Sequence, residues 1–215
     1  MVDESQRKGE RTRARILGHA VRIACRVGLG GLTIGDLAEE VGLSKSGMYA
    51  HFGSKQALQV AVLDAAAHEF AVEVVGPALR GPRGEPRLRV LVEGWLRCAA
   101  ERRPGGCVFV KATTELDEQP GPVRDHLRAL HRELATTIAR VVTGGVTEGH
   151  FGPGTDPDQF ATDLHGVMLA YYRGHRLLED PRAERHARTA VEALLTAARV
   201  GAPHPYPVPR TEEAS

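Results

Sequence analysis

The chain has 215 residues, 42% hydrophobic and only 5% aromatic, which supplies a sizeable core built mainly from aliphatic side chains. Lys and Arg (28) nearly balance Asp and Glu (27), which excludes a uniformly basic or acidic surface. No apolar run reaches the ~18 residues needed to span a bilayer, and the charged segment Met1–Arg15 lacks the apolar stretch of a secretory leader, so the cytoplasm is the expected location and no membrane partner is expected.

Charge is unevenly distributed. Residues 1–60 carry nine Lys/Arg against six Asp/Glu, whereas the remainder carries 19 against 21. The window Val41–Leu63 holds Lys45 and Lys55 and no acidic residue, a pattern of either a small nucleic-acid contact or a solvated lysine face. The cysteines Cys25, Cys98 and Cys107 are odd in number, form no CxxC pair and sit among apolar residues, so neither a disulfide framework nor a zinc site is expected. They read as buried inert thiols, with a redox pair of Cys98 and Cys107 as the alternative.

Taken in chain order, Ile16, Ala20, Ile23, Ala24 and Val27 recur at helical spacing, and Gly28 stops that first helix. The connector Gly28–Gly31 resembles part of a phosphate-binding loop, but no strand precedes it and the lysine that completes such a loop does not follow. Thr33 is a good N-cap for a short helix Ile34–Val41, and Asp36 complements its first amides. Gly42 ends it, Ser44 caps a second short helix over about Lys45–His51, and Ser54 caps a long helix from Lys55 to about Val75. Gly76–Pro77 and Gly81–Pro86 are predicted breaks. Beyond them, apolar stripes predict a helix through Leu88–Ala99, a shorter one over Cys107–Leu116 and a long one through Val123–Val141. A Gly- and Pro-rich loop is expected over Gly144–Pro157, then two final helices with stripes Phe160–Tyr172 and Ala187–Ala198. The fold class is therefore all-α, and Gly201–Ser215, with four prolines, reads as a loose tail.

Residues Ile34–His51 form a helix-turn-helix by pattern: two short helices joined by a turn in which Gly42 can take a left-handed conformation. Leu37, Ala38, Val41, Leu43 and Met48 can hold the pair together, leaving Lys45, Ser46, Gly47, Tyr49 and His51 outside. Those groups suit base edges and phosphates; an ordinary helical hairpin in a bundle has the same outline. The stretch Thr33–Leu58 closely resembles the DNA-binding signature of TetR-type transcriptional regulators, at Thr33, Leu37, Ala38, Gly42, Ser44, Tyr49, His51, Phe52, Lys55 and Leu58. Met48 stands where such proteins often carry leucine or isoleucine, a volume-conserving difference.

The resemblance implies a homodimer that binds operator double-stranded DNA, with residues 1–54 as DNA-binding domain, the helix 55–75 as connector and 55–200 as a helical ligand-binding and dimerisation domain. It implies that Lys45, Ser46, Gly47 and Met48 face base edges, that Tyr49 and His51 donate to phosphates, and that Thr33 and Lys55 hold phosphates at helix N-termini. Phe52 and Leu58 are expected to pack the reading helix on the connector. Arg7, Lys8, Arg11, Arg13 and Arg15 read equally as backbone contacts or as a solvated charge run. The final helices are expected to carry the dimer through Phe160, Leu164, Val167, Val191, Leu194 and Leu195, residues that interior packing would explain equally. For an unidentified, largely apolar small-molecule effector, the candidate lining is Trp95, Phe109, His126, Leu130, His165, Met168, Tyr171 and Tyr172; core packing is the alternative for each. Repression is the commoner behaviour of such proteins. No GxSxG, P-loop, HExxH or CxxC pattern occurs, so no enzyme, metal site or cofactor is expected.

Overall fold

The computed structural model describes residues 4–101 and 105–200, and the expected tail Gly201–Ser215 lies outside them. Its elements are helices α1 (Glu4–Val27), α2 (Ile34–Val41), α3 (Lys45–Phe52), α4 (Lys55–Phe70), α5 (Gly76–Arg80), α6 (Glu85–Glu101), α7 (Val108–Leu116), α8 (Pro122–Thr147), α9 (Pro157–Arg176) and α10 (Ala183–Val200). They divide into two compact units, residues 1–78 with 91–134, and 79–90 with 135–215. Among the described residues no helix is long and apolar enough to cross a membrane.

In the first unit the predicted caps set the boundaries. Thr33 Oγ1 accepts from the Asp36 amide at 3.0 Å, Ser44 Oγ from Gly47 at 3.1 Å and Ser54 Oγ from Ala57 at 3.1 Å. Each satisfies one of the amides a helix start leaves without an internal partner. Gly42 sits at φ +70, as the turn between α2 and α3 requires. One buried cluster joins Ile16, Ala20 and Ala24 of α1, Leu37 and Val41 of α2, Met48 and Phe52 of α3, and Leu58 and Val62 of α4. Val108 and Ala112 of α7 and Val123 and Leu127 of α8 belong to the same cluster.

The expected break at Gly76–Pro77 does not occur. Residues Ala71–Val75 form a π-helical turn, Gly76 keeps helical angles and donates to the Ala71 carbonyl, and α5 runs through Pro77. The wider turn lets the helix continue into a residue that has no amide to donate. Gly94 packs closely there, since a Cβ on it would lie 3.3 Å from Val74, and Trp95 meets Phe70 edge-on at 5.6 Å.

In the second unit α9 lies along α10. Phe160, Leu164, Met168 and Tyr171 are buried on α9, and Ala187, Val191, Leu195 and Ala198 on α10. Helix α8 continues to Thr147, through Gly144 and Gly145 where a loop was expected. Phe151 folds back onto Gly145, where a Cβ would come within 2.3 Å of its ring, and stacks on Phe160 at 6.2 Å. Two arginines and two glutamates link α6 to α10. Arg89 bonds Glu85 and Glu192, each at 2.8 Å, and Arg199 bonds the same two carboxylates at 2.8 and 3.1 Å.

Candidate nucleic-acid interface

Helix α3 shows two faces of opposite character. Met48 and Phe52, one turn apart, are buried in the first unit's core. Lys45, Ser46, Tyr49 and Ala50 are exposed, with Gly47 and His51 half-buried. Tyr49 is 52% exposed, unusual for a large ring that no partner covers. The helix is fixed at both ends: Ser44 Oγ binds the Gly47 amide and lies 3.0 Å from Ser46 Oγ, and the Gly53 amide donates to the Tyr49 carbonyl at 2.8 Å. The interior residues hold the helix while its outer residues remain free to touch something else.

Around α3 the other candidate residues take definite places. Thr33 is exposed at the start of α2. The Lys45 stem lies over Gly35, with Cε 3.4 Å and Nζ 3.7 Å from where a Cβ would stand, so its ammonium sits beside that same helix start. Lys55 is exposed at the first position of α4, and its Nζ donates to the Gly30 carbonyl at 2.9 Å. An ammonium has three donors, so two remain. Arg7, Lys8, Arg11, Arg13 and Arg15 are exposed along α1, and the Arg13 guanidinium lies 5.0 Å over the Phe52 ring. The helix starts of α2 and α4 thus bring exposed amide dipoles and an ammonium each beside α3, an arrangement suited to anions.

Three polar partners in this unit had escaped sequence reasoning. Gln59 is buried and its Nε2 donates to the Leu29 carbonyl at 2.8 Å. Lys111 Nζ donates to the Arg26 carbonyl at 2.6 Å, and Glu115 Oε2 accepts from the Gly30 amide at 2.9 Å. The only sequence signals were a polar residue inside the apolar run Leu58–Leu63 and a Lys–Glu pair four apart in α7.

The residues named for an effector fall in both units. In the first, Trp95, Phe109, His126 and Leu130 are half-buried. Phe109 meets His131 edge-on at 6.1 Å, the Thr113 hydroxyl lies 3.2 Å from His131 Nε2, and His126 Nε2 lies 2.6 Å from Asp64 Oδ1, tying α8 to α4. Burial pulls the His131 pKa down. In the second, Met168 and Tyr171 are buried, Tyr171 stacks on His175 at 5.6 Å, and His165 and Tyr172 are half-buried. Of the residues named for a dimer, Phe160, Leu164, Val191 and Leu195 are buried within the one chain, and only Val167 and Leu194 reach the surface. Burial pushes the Cys107 thiol up, which disfavours the reactive thiolate. Among the described residues no group of three His, Cys, Asp or Glu could hold a metal ion.

Residues 16–62 match the family model of bacterial regulatory proteins, tetR family, and residues 84–191 match that of the Tetracyclin repressor-like C-terminal domain. A TetR transcriptional regulator from Chloroflexus aurantiacus J-10-FL is similar at 30% identity over 89% of this chain and 96% of that one, with a TM-score of 0.77. A TetR-family transcriptional regulator from Cytophaga hutchinsonii has a TM-score of 0.77 at 20% identity, covering 90% of this chain and 97% of its own. AibR, solved in complex with isovaleryl coenzyme A and operator DNA, has a TM-score of 0.68 at 22% identity, covering 85% and 98%. The last two likenesses are of fold alone. No curated protein matches the chain.

Proposed function

Because the chain belongs to the TetR family of bacterial transcriptional regulators, we propose that it is a cytoplasmic repressor that binds a palindromic operator as a homodimer and is released by a small, largely apolar effector. The observation that supports this most is α3 itself, anchored by Met48 and Phe52 with Lys45, Ser46 and Tyr49 left outside. In this reading α3 enters the major groove. Ser46 and the close backbone at Gly47 face bases, and Lys45 reaches a base edge by swinging its flexible stem away from Gly35. Met48, expected at a base edge, is instead fully buried in the core and only anchors the helix. Tyr49 and His51 donate to phosphates, as do Lys55 and the amides that open α2 behind Thr33 and α4 behind Ser54.

A second copy docks on the outer faces of α9 and α10. Gly166, Val167 and Ala170 on one helix and Ala193, Leu194 and Ala197 on the other are exposed or half-exposed; the glycine and alanines permit close approach, and Val167 and Leu194 supply apolar surface to bury. The effector is bound by the C-terminal segment, with Trp95, Phe109, His126 and Leu130 as first-unit contacts. The structural likeness to AibR, solved with an acyl-coenzyme A and operator DNA, supports a regulator of this kind. The direct test is a gel shift with the DNA upstream of the chain's own reading frame. A shifted band lost on replacing Lys45, Ser46 and Tyr49 together is expected; a band indifferent to that replacement would contradict the placement of α3.

A further inference from the structure

The turn between α1 and α2 is gripped from two sides. From α4, Lys55 Nζ holds the Gly30 carbonyl at 2.9 Å and Gln59 Nε2 the Leu29 carbonyl at 2.8 Å. From α7, Lys111 Nζ holds the Arg26 carbonyl at 2.6 Å and Glu115 Oε2 the Gly30 amide at 2.9 Å. The Glu115 carboxylate occupies the space where residue 28 would carry a side chain: a Cβ there would lie 1.6 Å from Oε1, and Gly28 has φ +81. Lys111 caps one of the last carbonyls of α1, which have no partner inside the helix. Gly30 is therefore bonded on both its polar groups, to α7 through its amide and to Lys55 through its carbonyl.

The geometry points to Glu115 as a positioning residue for DNA binding: it holds Gly30 so that the Gly30 carbonyl presents Lys55 at the start of α4. Glu115 holds the amide end of the Leu29–Gly30 peptide and Gln59 its carbonyl end. Glycine has the freest backbone of any residue, so losing the Glu115 bond leaves the Gly30 carbonyl less firmly directed and weakens the tether on Lys55. An ordered lysine loses less freedom when it meets a phosphate, and its two spare donors remain for that phosphate. Glu115 lies in the segment matched by the C-terminal family model. A displacement of α7 is thus passed to a DNA-contacting lysine through two hydrogen bonds, a route separate from any movement of α4.

The inference rests on Lys55 being a phosphate contact, and a double-mutant cycle separates the two. The full-length protein and its K55A, E115A, E115Q and K55A/E115A variants are titrated against a duplex recovered by binding-site selection on the wild type, at several salt concentrations. E115A should bind about three- to tenfold more weakly, with a salt slope shallower by up to about 1.8 per dimer, one lost phosphate contact in each protomer. E115Q, whose amide oxygen still accepts from Gly30, should recover most of the affinity. The double variant should bind like K55A alone. Additive losses, or an E115A protein that binds with wild-type affinity and slope, would overturn the role of Glu115. A K55A protein that binds like wild type would overturn its premise instead. Should E115A fail to fold by circular dichroism, E115D, which keeps the charge and loses the reach, replaces it in the same cycle.

Discussion

At the scale of single residues, the contacts assigned to DNA differ in what they can encode. A lysine on a phosphate carries affinity and no sequence information, whereas a side chain at a base edge carries both. Lys55 sits at a helix start and is held to the Gly30 carbonyl, which is why its ammonium is proposed for a phosphate. Lys55→Ala should weaken binding to all duplexes by a similar factor, while Ser46→Ala and Lys45→Ala should change which bases are preferred, by about 1–3 kcal/mol at the affected position. Selection of bound duplexes with each variant measures this; a shifted preference for Lys55→Ala and none for the other two would reverse the assignment. With about 6–10 phosphate contacts per dimer, wild-type affinity should also fall about a thousandfold or more between roughly 50 and 200 mM salt. A flat titration would remove the phosphates from the interface.

At the scale of elements, α2, α3 and the start of α4 were legible because their signals are local. Thr33, Ser44 and Ser54 each cap within three residues, and Gly42 takes the conformation its turn demands. What escaped depends on distant partners. Gly76–Pro77 reads as a stop, and the π turn at Ala71–Val75 carries the helix past it. Gly144–Gly145 reads as a loop, and Phe151 packing on Gly145 keeps it helical. The stripe of α9 was visible, but periodicity cannot say whether α10 of the same chain or a second copy covers it; Phe160 and Leu164 prove to be inside the chain. Two predictions belong here. Ser44→Ala removes the cap of α3 and should lower stability by about 1 kcal/mol in denaturant unfolding, with a larger relative loss of DNA affinity than of stability if α3 reads the DNA as proposed; equal stability would mean the cap contributes nothing. The bond from Arg199, reinforced by Arg89, holds Glu85 down to about 2 from its ordinary 4.5, against the opposing cost of burial. A lowered pKa stabilises the folded state fully above the unfolded value and ceases to do so as pH falls through the folded one, so this contribution is present above about pH 4.5 and disappears toward pH 2. Glu85→Gln should therefore reduce the melting temperature at neutral pH and flatten its decline between those values; an unchanged profile would show that the bridge adds nothing to stability.

At the scale of the whole molecule, the proposed binding as a dimer would make the spacing of two α3 helices a functional quantity. Major grooves on one face of DNA recur every ~34–36 Å, so a change of a few ångströms in that spacing loses contacts at one or both half-sites. Leu194 is half-exposed on α10 and Leu164 fully buried on α9, which makes Leu194→Glu the cleaner probe of assembly. It should yield folded monomers by light scattering with greatly weakened operator binding; a monomer that still binds tightly would exclude the dimer mechanism. An effector that favours a form with mismatched spacing must be bound more weakly in the presence of operator by the same factor, a coupling of about 1–3 kcal/mol. Helix α4 offers the path, since Leu58 packs at its start with Phe52 in one core and Asp64 farther along is bonded to His126; equal effector affinity with and without operator would rule the coupling out. The central claim is that α3 reads DNA, and selection of bound duplexes from a random pool by the wild-type protein tests it most directly. An α3 that sits in the major groove of each half-site should enrich a two-fold symmetric sequence whose half-sites are about one helical turn, or a multiple of it, apart. A pool that stays random, or an enriched sequence that is unchanged when Lys45 and Ser46 are both replaced by alanine, would contradict it.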